Sequence, residues 1–351
     1  SQDFPEKKFH KREKHAAKIM GRDDRKYGDH SGNRVLCRFY NHGSIGDQSS
    51  SFSGVYPIGS GHSYIWEFSP VVAASVVDTN GFRRHIVSDG ISGLVDASPE
   101  GTPWSFEPLS GYSNPNQENL AMSDNEESWP NSWPNRTEDW NGEWNGQYGK
   151  YVRADQESYF VVDDRYNSEF EFWPDQNDIP EDPTVSPDEH RRGLGIEMEA
   201  RGYQWNHPAA EDIIIVTYWI TNVGSSVLDS VVFGMYGDAD IGGASSFSDD
   251  DAWFDTENDM VYQWDHDNWS SSYGGFRPAY FGWSFLESPG NPHDGIDNDG
   301  DGMIDESQFD GIDNDGDWDP ERDDIGADGL ADFHINYTGP DEDGTEGNGV
   351  P

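Results

Sequence analysis

Asp212-Ile-Ile-Ile-Val-Thr-Tyr-Trp-Ile-Thr221 and, after a short gap, Val227-Leu-Asp-Ser-Val-Val-Phe-Gly-Met-Tyr236 decide the fold class. β-Branched and aromatic residues dominate both runs, which suits a pleated, packed surface better than a helix. The first run is apolar on both faces, so it is expected at the centre of a packed sheet. The connection Asn222-Val-Gly-Ser-Ser226 has the length of a hairpin loop, so the two runs are expected to pair with each other. Similar short runs recur outward from this pair: Ser63–Phe68, Val71–Val77, Phe82–Val87, Ser158–Val162, Leu194–Ala200 and Met260–Trp264. Gly, Asn, Asp, Ser and Pro separate them, and no amphipathic helix is evident beyond residue 33. The expectation is an all-β protein, an antiparallel β-sandwich built as one large or two fused units, with extended termini.

Charge divides the chain sharply. Among 351 residues, 22 Lys and Arg face 68 Asp and Glu, a net charge of −46, yet half of the basic residues precede residue 41. Lys150 is the only lysine after Lys26. So negative a body repels nucleic acid and anionic lipid, and attracts divalent cations and basic segments. The reading of domains is a basic arm over 1–33, a β-sandwich body over 34–290 with a Trp-rich loop at 104–150, an acidic repeat segment over 291–332, and an acidic, Gly-rich tail over 333–351. The single cysteine, Cys37, excludes an internal disulfide framework and sits in an apolar run, as a buried thiol does. No run is long and apolar enough for a transmembrane helix, so no membrane insertion is expected.

The acidic segment carries the strongest motif. Asp294-Gly-Ile-Asp-Asn-Asp-Gly-Asp301 recurs verbatim as Asp310-Gly-Ile-Asp-Asn-Asp-Gly-Asp317. An exact repeat at fixed offset is a structural unit rather than compositional drift. Between Asp294 and Asp332 there are 16 acids and one basic residue, Arg322, so the segment needs a cation to bridge its carboxylates. Asp297, Asp299 and Asp301 stand at alternate positions, Gly302 permits a sharp turn, and Asp305 closes the loop beside Glu306. This spacing supplies the all-oxygen shell of calcium, whereas zinc would want His or Cys. The second repeat offers Asp313, Asp315, Asp317 and Asp319, with Trp318 in place of the turn glycine. A degenerate third copy runs through Asp324, Asp328 and Asp332. Calcium is therefore the expected cofactor. Sites of ordinary extracellular affinity, about 10⁻⁴–10⁻³ M, would stay empty in a cytosol, so the expected location is extracellular or at the cell surface.

Asp-Gly-Ile-Asp-Asn-Asp-Gly-Asp-Gly-Met-Ile-Asp-Glu resembles the calcium repeats of thrombospondin type 3 and the related metal-binding motif of secreted bacterial proteins. Cysteines often flank those motifs and none does here, so the cation-binding part alone carries over. Residues 34–290 resemble the large uncharacterised proteins exported by bacteria with a type IX secretion system. The stretches that carry this likeness are Val71–Gly90, Ala154–Asp164, and Ile220-Thr-Asn with Asp238-Ala-Asp-Ile-Gly-Gly243. The resemblance implies an exported protein and assigns no activity.

Asp238, Asp240 and Asp249-Asp-Asp251 suit a further calcium site at a sandwich edge, or a solvated acidic loop. Glu197 and Glu199 share one strand face, as a glycosidase pair does, but their neighbours Ile196, Met198 and Ala200 read as core, which makes the glutamates a solvent face. Trp129, Trp133, Trp140 and Trp144 would bind a glycan by stacking if exposed, or pin the loop if buried. The chain contains no Gly-x-Ser-x-Gly, His-Glu-x-x-His or phosphate-loop motif, and no enzyme activity is expected. Phe4, Lys7, Lys8, Phe9, Lys11 and Arg12 form a basic arm with two apolar anchors, suited to an acidic groove on another copy. The expected function is an extracellular, calcium-stabilised structural or surface protein that self-assembles as a homo-oligomer, filament or array. A carbohydrate-binding surface protein is the first alternative and a secreted polysaccharide-acting enzyme the second.

Overall fold

A computed structural model describes residues 25–46, 53–91, 97–99, 104–175, 190–243, 247–255 and 260–286. One compact unit takes in the described residues up to Trp253 together with Tyr262–Gly282; the described residues 254–255, 260–261 and 283–286 fall in a second. The described residues are all-β, and their helical turns are short 3₁₀ segments such as Glu126–Ser128 and Glu138–Trp140. None of their helices is long and apolar enough to cross a membrane.

In chain order the strands are β1 (Tyr27–His30), β2 (Cys37–Tyr40), β3 (Ile65–Val77), β4 (Arg83–Asp89), β5 (Glu107–Pro108), β6 (Ala121–Met122) and β7 (Gln156–Asp163). There follow β8 (Ile196–Gln204), β9 (Ile215–Asn222), β10 (Asp229–Ala239), β11 (Asp250–Asp255), β12 (Met260–Asp265) and β13 (Phe281–Ser284). One sheet has the order β10-β3-β4 and another β5-β7-β8-β9, with β6 also on β7. A third runs β11-β12-β13, and β1 pairs with β2. The ladders of the first two sheets are antiparallel throughout.

The two runs that announce the β fold do not pair with each other. β9 bonds to β8 and lies at a sheet edge, while β10 bonds to β3 in the other sheet. The connection is held open as a crossover rather than a hairpin. Val223 and Gly224 donate backbone N–H groups to the Gly195 carbonyl at 2.8 and 3.2 Å, and Ser225 and Ser226 donate to the Pro174 carbonyl at 2.9 and 3.0 Å. Those bonds satisfy the turn's donors without any β9–β10 ladder. A Cβ at position 224 would stand 2.6 Å from the Pro174 oxygen, which is why glycine occupies it.

Directly paired residues share a sheet face, so register places side chains. Phe160, Ala200 and Tyr218 are aligned across β7, β8 and β9. Tyr218 meets Phe233 of β10 with ring centroids 5.2 Å apart, so this row faces the other sheet and forms the sandwich core. Val72, Ala74, Val76 and Ile86 are buried on β3 and β4. The opposite row, Tyr159, Arg201 and Thr217, faces the Trp-rich loop. β7 is consequently buried along its whole length, with Tyr159 and Val161 under the loop and Phe160 and Val162 on the sandwich side. β9 is an edge strand whose residues are half-buried or exposed, Trp219 at 51%, so its apolar character on both faces does not mark a central place in the sheet.

Residues 25–33, expected within the basic arm, belong to the body. Arg25 pairs with Glu107 at 2.7 Å, Lys26 is buried with its N–H on the Asn41 side-chain oxygen at 2.7 Å, and Asp29 of β1 holds Arg38 of β2 at 2.7 Å. The polar run is tolerated inside because each charge has a partner. At the centre of this region His30 contacts Ser158, and the Gly202 backbone passes close above. A Cβ there would stand 2.6 Å from His30 Nε2 and 2.9 Å from Phe39, so only glycine fits.

Candidate metal centre

Between β10 and β12 the chain gathers carboxylates. Three segments supply them: the loop after β10, the 3₁₀ turn Phe247–Asp249 leading into β11, and the turn after β12. Asp249, Asp265 and Asp267 each bring a carboxylate oxygen to a common point, all within 4.8 Å of one another. The backbone fixes this geometry. Asp265 Oδ1 accepts the Trp269 N–H at 2.7 Å, an aspartate turn that carries Asp267 to its tip, with Asn268 at φ 57°. The His266 N–H donates to the Asp249 carbonyl at 3.1 Å, tying the two acidic segments together.

Asp250 stands next to this trio. Its Oδ2 accepts the Ile241 N–H at 2.8 Å, while its Oδ1 is buried without a hydrogen-bond partner among the described residues. Burial, reinforced by Asp265, Asp240 and Asp249, pushes its carboxyl up to about 7, with the Ile241 N–H acting in the other direction. Asp240 is also raised, first by burial and then by Asp238. The donor set is hard oxygen. The one nearby imidazole, His266, is engaged by Asp251 at 2.6 Å, which raises its pKa. Such a set fits calcium and not zinc. Of the acidic residues singled out around this edge, the structure brings Asp249 and its neighbours Asp240 and Asp250 together. Asp238 accepts from Tyr236 Oη at 3.4 Å and acts on Asp240 through its charge, but is not one of the three carboxylates that meet. Asp265 and Asp267 were missed, because they lie in a different run of the sequence; their Asp-x-Asp spacing at a strand end was the available signal.

The repeat aspartates from Asp294 to Asp332, expected as calcium ligands, and the arm residues Phe4 to Arg12 lie outside the described residues. The tryptophans lie within them and correct the glycan-platform expectation. Trp133 and Trp144 are 3% and 2% exposed, and Trp129 and Trp140 pack against them half-buried, so the row presents no open stacking surface. Each of three indole N–H groups is spent internally: Trp129 on the Met122 carbonyl at 2.7 Å, Trp133 on the Glu143 carbonyl at 2.9 Å, and Trp144 on Glu157 Oε2 at 2.7 Å. Around them Tyr112, Ala121, Tyr159 and Val161 complete a satellite core that clamps the loop to β7.

Glu197 and Glu199 behave as a strand's polar face. Ile196, Met198 and Ala200 alternate with them as core, Arg191 approaches Glu197 at 3.5 Å, and Tyr159 Oη donates to Glu199 at 3.0 Å. The His30–Ser158 contact, 2.8 Å between Nε2 and Oγ, lies fully buried, out of reach of any substrate. Comparison with family models, curated proteins and solved structures finds no match for the chain.

Proposed function

We propose that this is an extracellular, calcium-stabilised structural or surface protein that binds and self-assembles rather than catalyses. The observation that supports it best is the convergence of Asp249, Asp265 and Asp267 on one point, beside a buried, unpartnered oxygen of Asp250. A chain of net charge −46 gains stability wherever a divalent cation neutralises neighbouring carboxylates. The repeated aspartates from Asp294 to Asp332 supply further ligands of the same kind. The concentration of basic residues in the arm, against a body starved of lysine, supports assembly between copies through an acidic acceptor.

Calcium titration of the full chain by isothermal calorimetry tests this reading. At least three sites are expected, two in the repeats and one in the cluster, with one lost in the double variant Asp265→Asn, Asp267→Asn. A chain that takes up no calcium at millimolar concentration would refute it.

A further inference from the structure

The sheet face beneath the Trp-rich loop ends in an aromatic cleft of about 200 Å³. Register explains its floor: Glu157, Tyr203 and Ile215 are aligned across β7, β8 and β9, and Thr217 lies next along the same face. Tyr148 and Tyr151, from the chain leaving the loop, form one wall and are 39% and 52% exposed. Tyr203 and Trp205 form the other as a stacked pair, centroids 5.8 Å apart and 14° from parallel. The polar handles of these rings are turned into the protein. Tyr203 Oη donates to Gln147 Oε1 at 2.6 Å, and Trp205 Nε1 to the Arg153 carbonyl at 3.3 Å. The cleft therefore offers ring surfaces, with Arg153, Gln147 and Thr217 supplying polar groups beside them.

We propose that this cleft binds one pyranose unit of a neutral polysaccharide. Three features select that ligand. Ligand pockets for drug-sized molecules run to about 300–1,000 Å³, so this one suits a single ring of a chain that continues into solvent. The guanidinium of Arg153 sits 4.7 Å over Tyr148 and 5.2 Å over Tyr151 and donates to Tyr151 Oη at 2.8 Å, so a second cation is repelled and this wall presents a hydrogen-bond donor, leaving Trp205 as the stacking surface. A proline ring would bury the Gln147 amide N–H groups and the Arg153 N–H groups not spent on Tyr151 without offering them an acceptor, and polar groups desolvated without a partner weaken binding. A sugar has an apolar face for the rings and hydroxyls for the polar groups. Rigid, amphipathic tyrosine and tryptophan walls lose little entropy on binding. None of these groups belongs to the aspartate cluster, so the proposal stands apart from the calcium reading.

Affinity electrophoresis of the full chain in native gels containing laminarin, xylan or dextran tests it. At least one polysaccharide is expected to retard the protein. The apparent affinity should fall at least tenfold in Tyr151→Ala and in Trp205→Ala, and stay unchanged in Trp219→Ala, an exposed ring on the same sheet face outside the cleft. Tyr151 is half exposed, so its variant keeps the test open should Trp205→Ala unfold. Retardation by none of the three, an equal loss in Trp219→Ala, or capture of a decaproline peptide by Tyr151 and Trp205 in place of sugar would overturn the assignment.

Discussion

His30 and Ser158 meet at 2.8 Å, Nε2 to Oγ, in the closed interior between β1 and β7, and the other imidazole nitrogen has no partner among the described residues. Burial lowers the His30 pKa to about 3, so the folded protein holds the ring neutral. An unfolded chain takes up that proton below about 6.5. The His30 contribution is therefore complete above pH 6.5 and is lost as pH falls toward 3, at about 1.4 kcal/mol per pH unit. Asp164 opposes it, since burial pushes its carboxyl up to about 7 and the fold binds the extra proton below that pH. Comparing urea midpoints of the wild type and His30→Gln at pH 7.5 and 5 isolates the histidine. The variant should lose less stability on acidification, and identical losses would contradict a neutral buried ring.

The aspartate cluster should make stability depend on calcium. Asp265→Asn is expected to abolish most of the calcium-induced rise in melting temperature assigned to the cluster, because it removes the most buried carboxylate of the trio. The same substitution in chelator should change the melting temperature little or raise it, since repulsion among carboxylates is relieved. Differential scanning calorimetry in both conditions reads the contrast.

For the Trp-rich loop, the order of mutational cost follows burial. Trp144→Ala and Trp133→Ala should each destabilise by about 3–5 kcal/mol and open residues 104–150 to protease. Trp140→Ala, half-buried and covered by Arg136 at 4.2 Å, should cost much less. Limited proteolysis with equal cleavage in all three variants would show that the clamp lies elsewhere.

Tyr218 offers a stabilising change. Its hydroxyl is buried between the sheets with no hydrogen-bond partner among the described residues, and burial raises its pKa. Removing an unsatisfied buried hydroxyl recovers part of a desolvation cost of about 1–3 kcal/mol. Tyr218→Phe should therefore raise the denaturation midpoint while keeping the contact with Phe233. A lower midpoint would mean that the hydroxyl is bonded.

Arm exchange calls for a cut that spares the body. Because Arg25 and Lys26 are built into the fold, deletion of residues 1–24 is the informative truncation. It should leave a folded monomer, whereas the full chain assembles and dissociates as salt rises. Unchanged sedimentation of the truncated protein would exclude the arm as the connector.

Strand character was legible in the sequence where β-branched and aromatic residues cluster, as in β3, β7, β9 and β10, and in β8 from its apolar–polar alternation. Strand partners were not. Local pattern reports which residues suit a pleat, while partner choice for β9 and β10 depended on carbonyls at Gly195 and Pro174 from a distant segment. β1 was hidden by its polar setting, because Asp29 within it and Arg25 and Lys26 before it look solvent-bound until their partners are known. The alternation around Glu197 and Glu199 was readable from period alone. Asp265 was not, since it meets Asp249 only when the turn at Trp269 folds it there.

The ladder between β3 and β10 also sets a schedule for folding. β3 ends at Val77, and its partner begins only at Asp229. Pairings so distant in sequence form slowly, because a long loop must close before any contact rewards it. A chain emerging from a ribosome or a translocation channel thus holds β3 with one neighbour missing until residue 239 has cleared. Until then an apolar strand edge stays open to other chains. Any cell that makes this protein must either export it while it is still unpaired or shield that edge until β10 arrives.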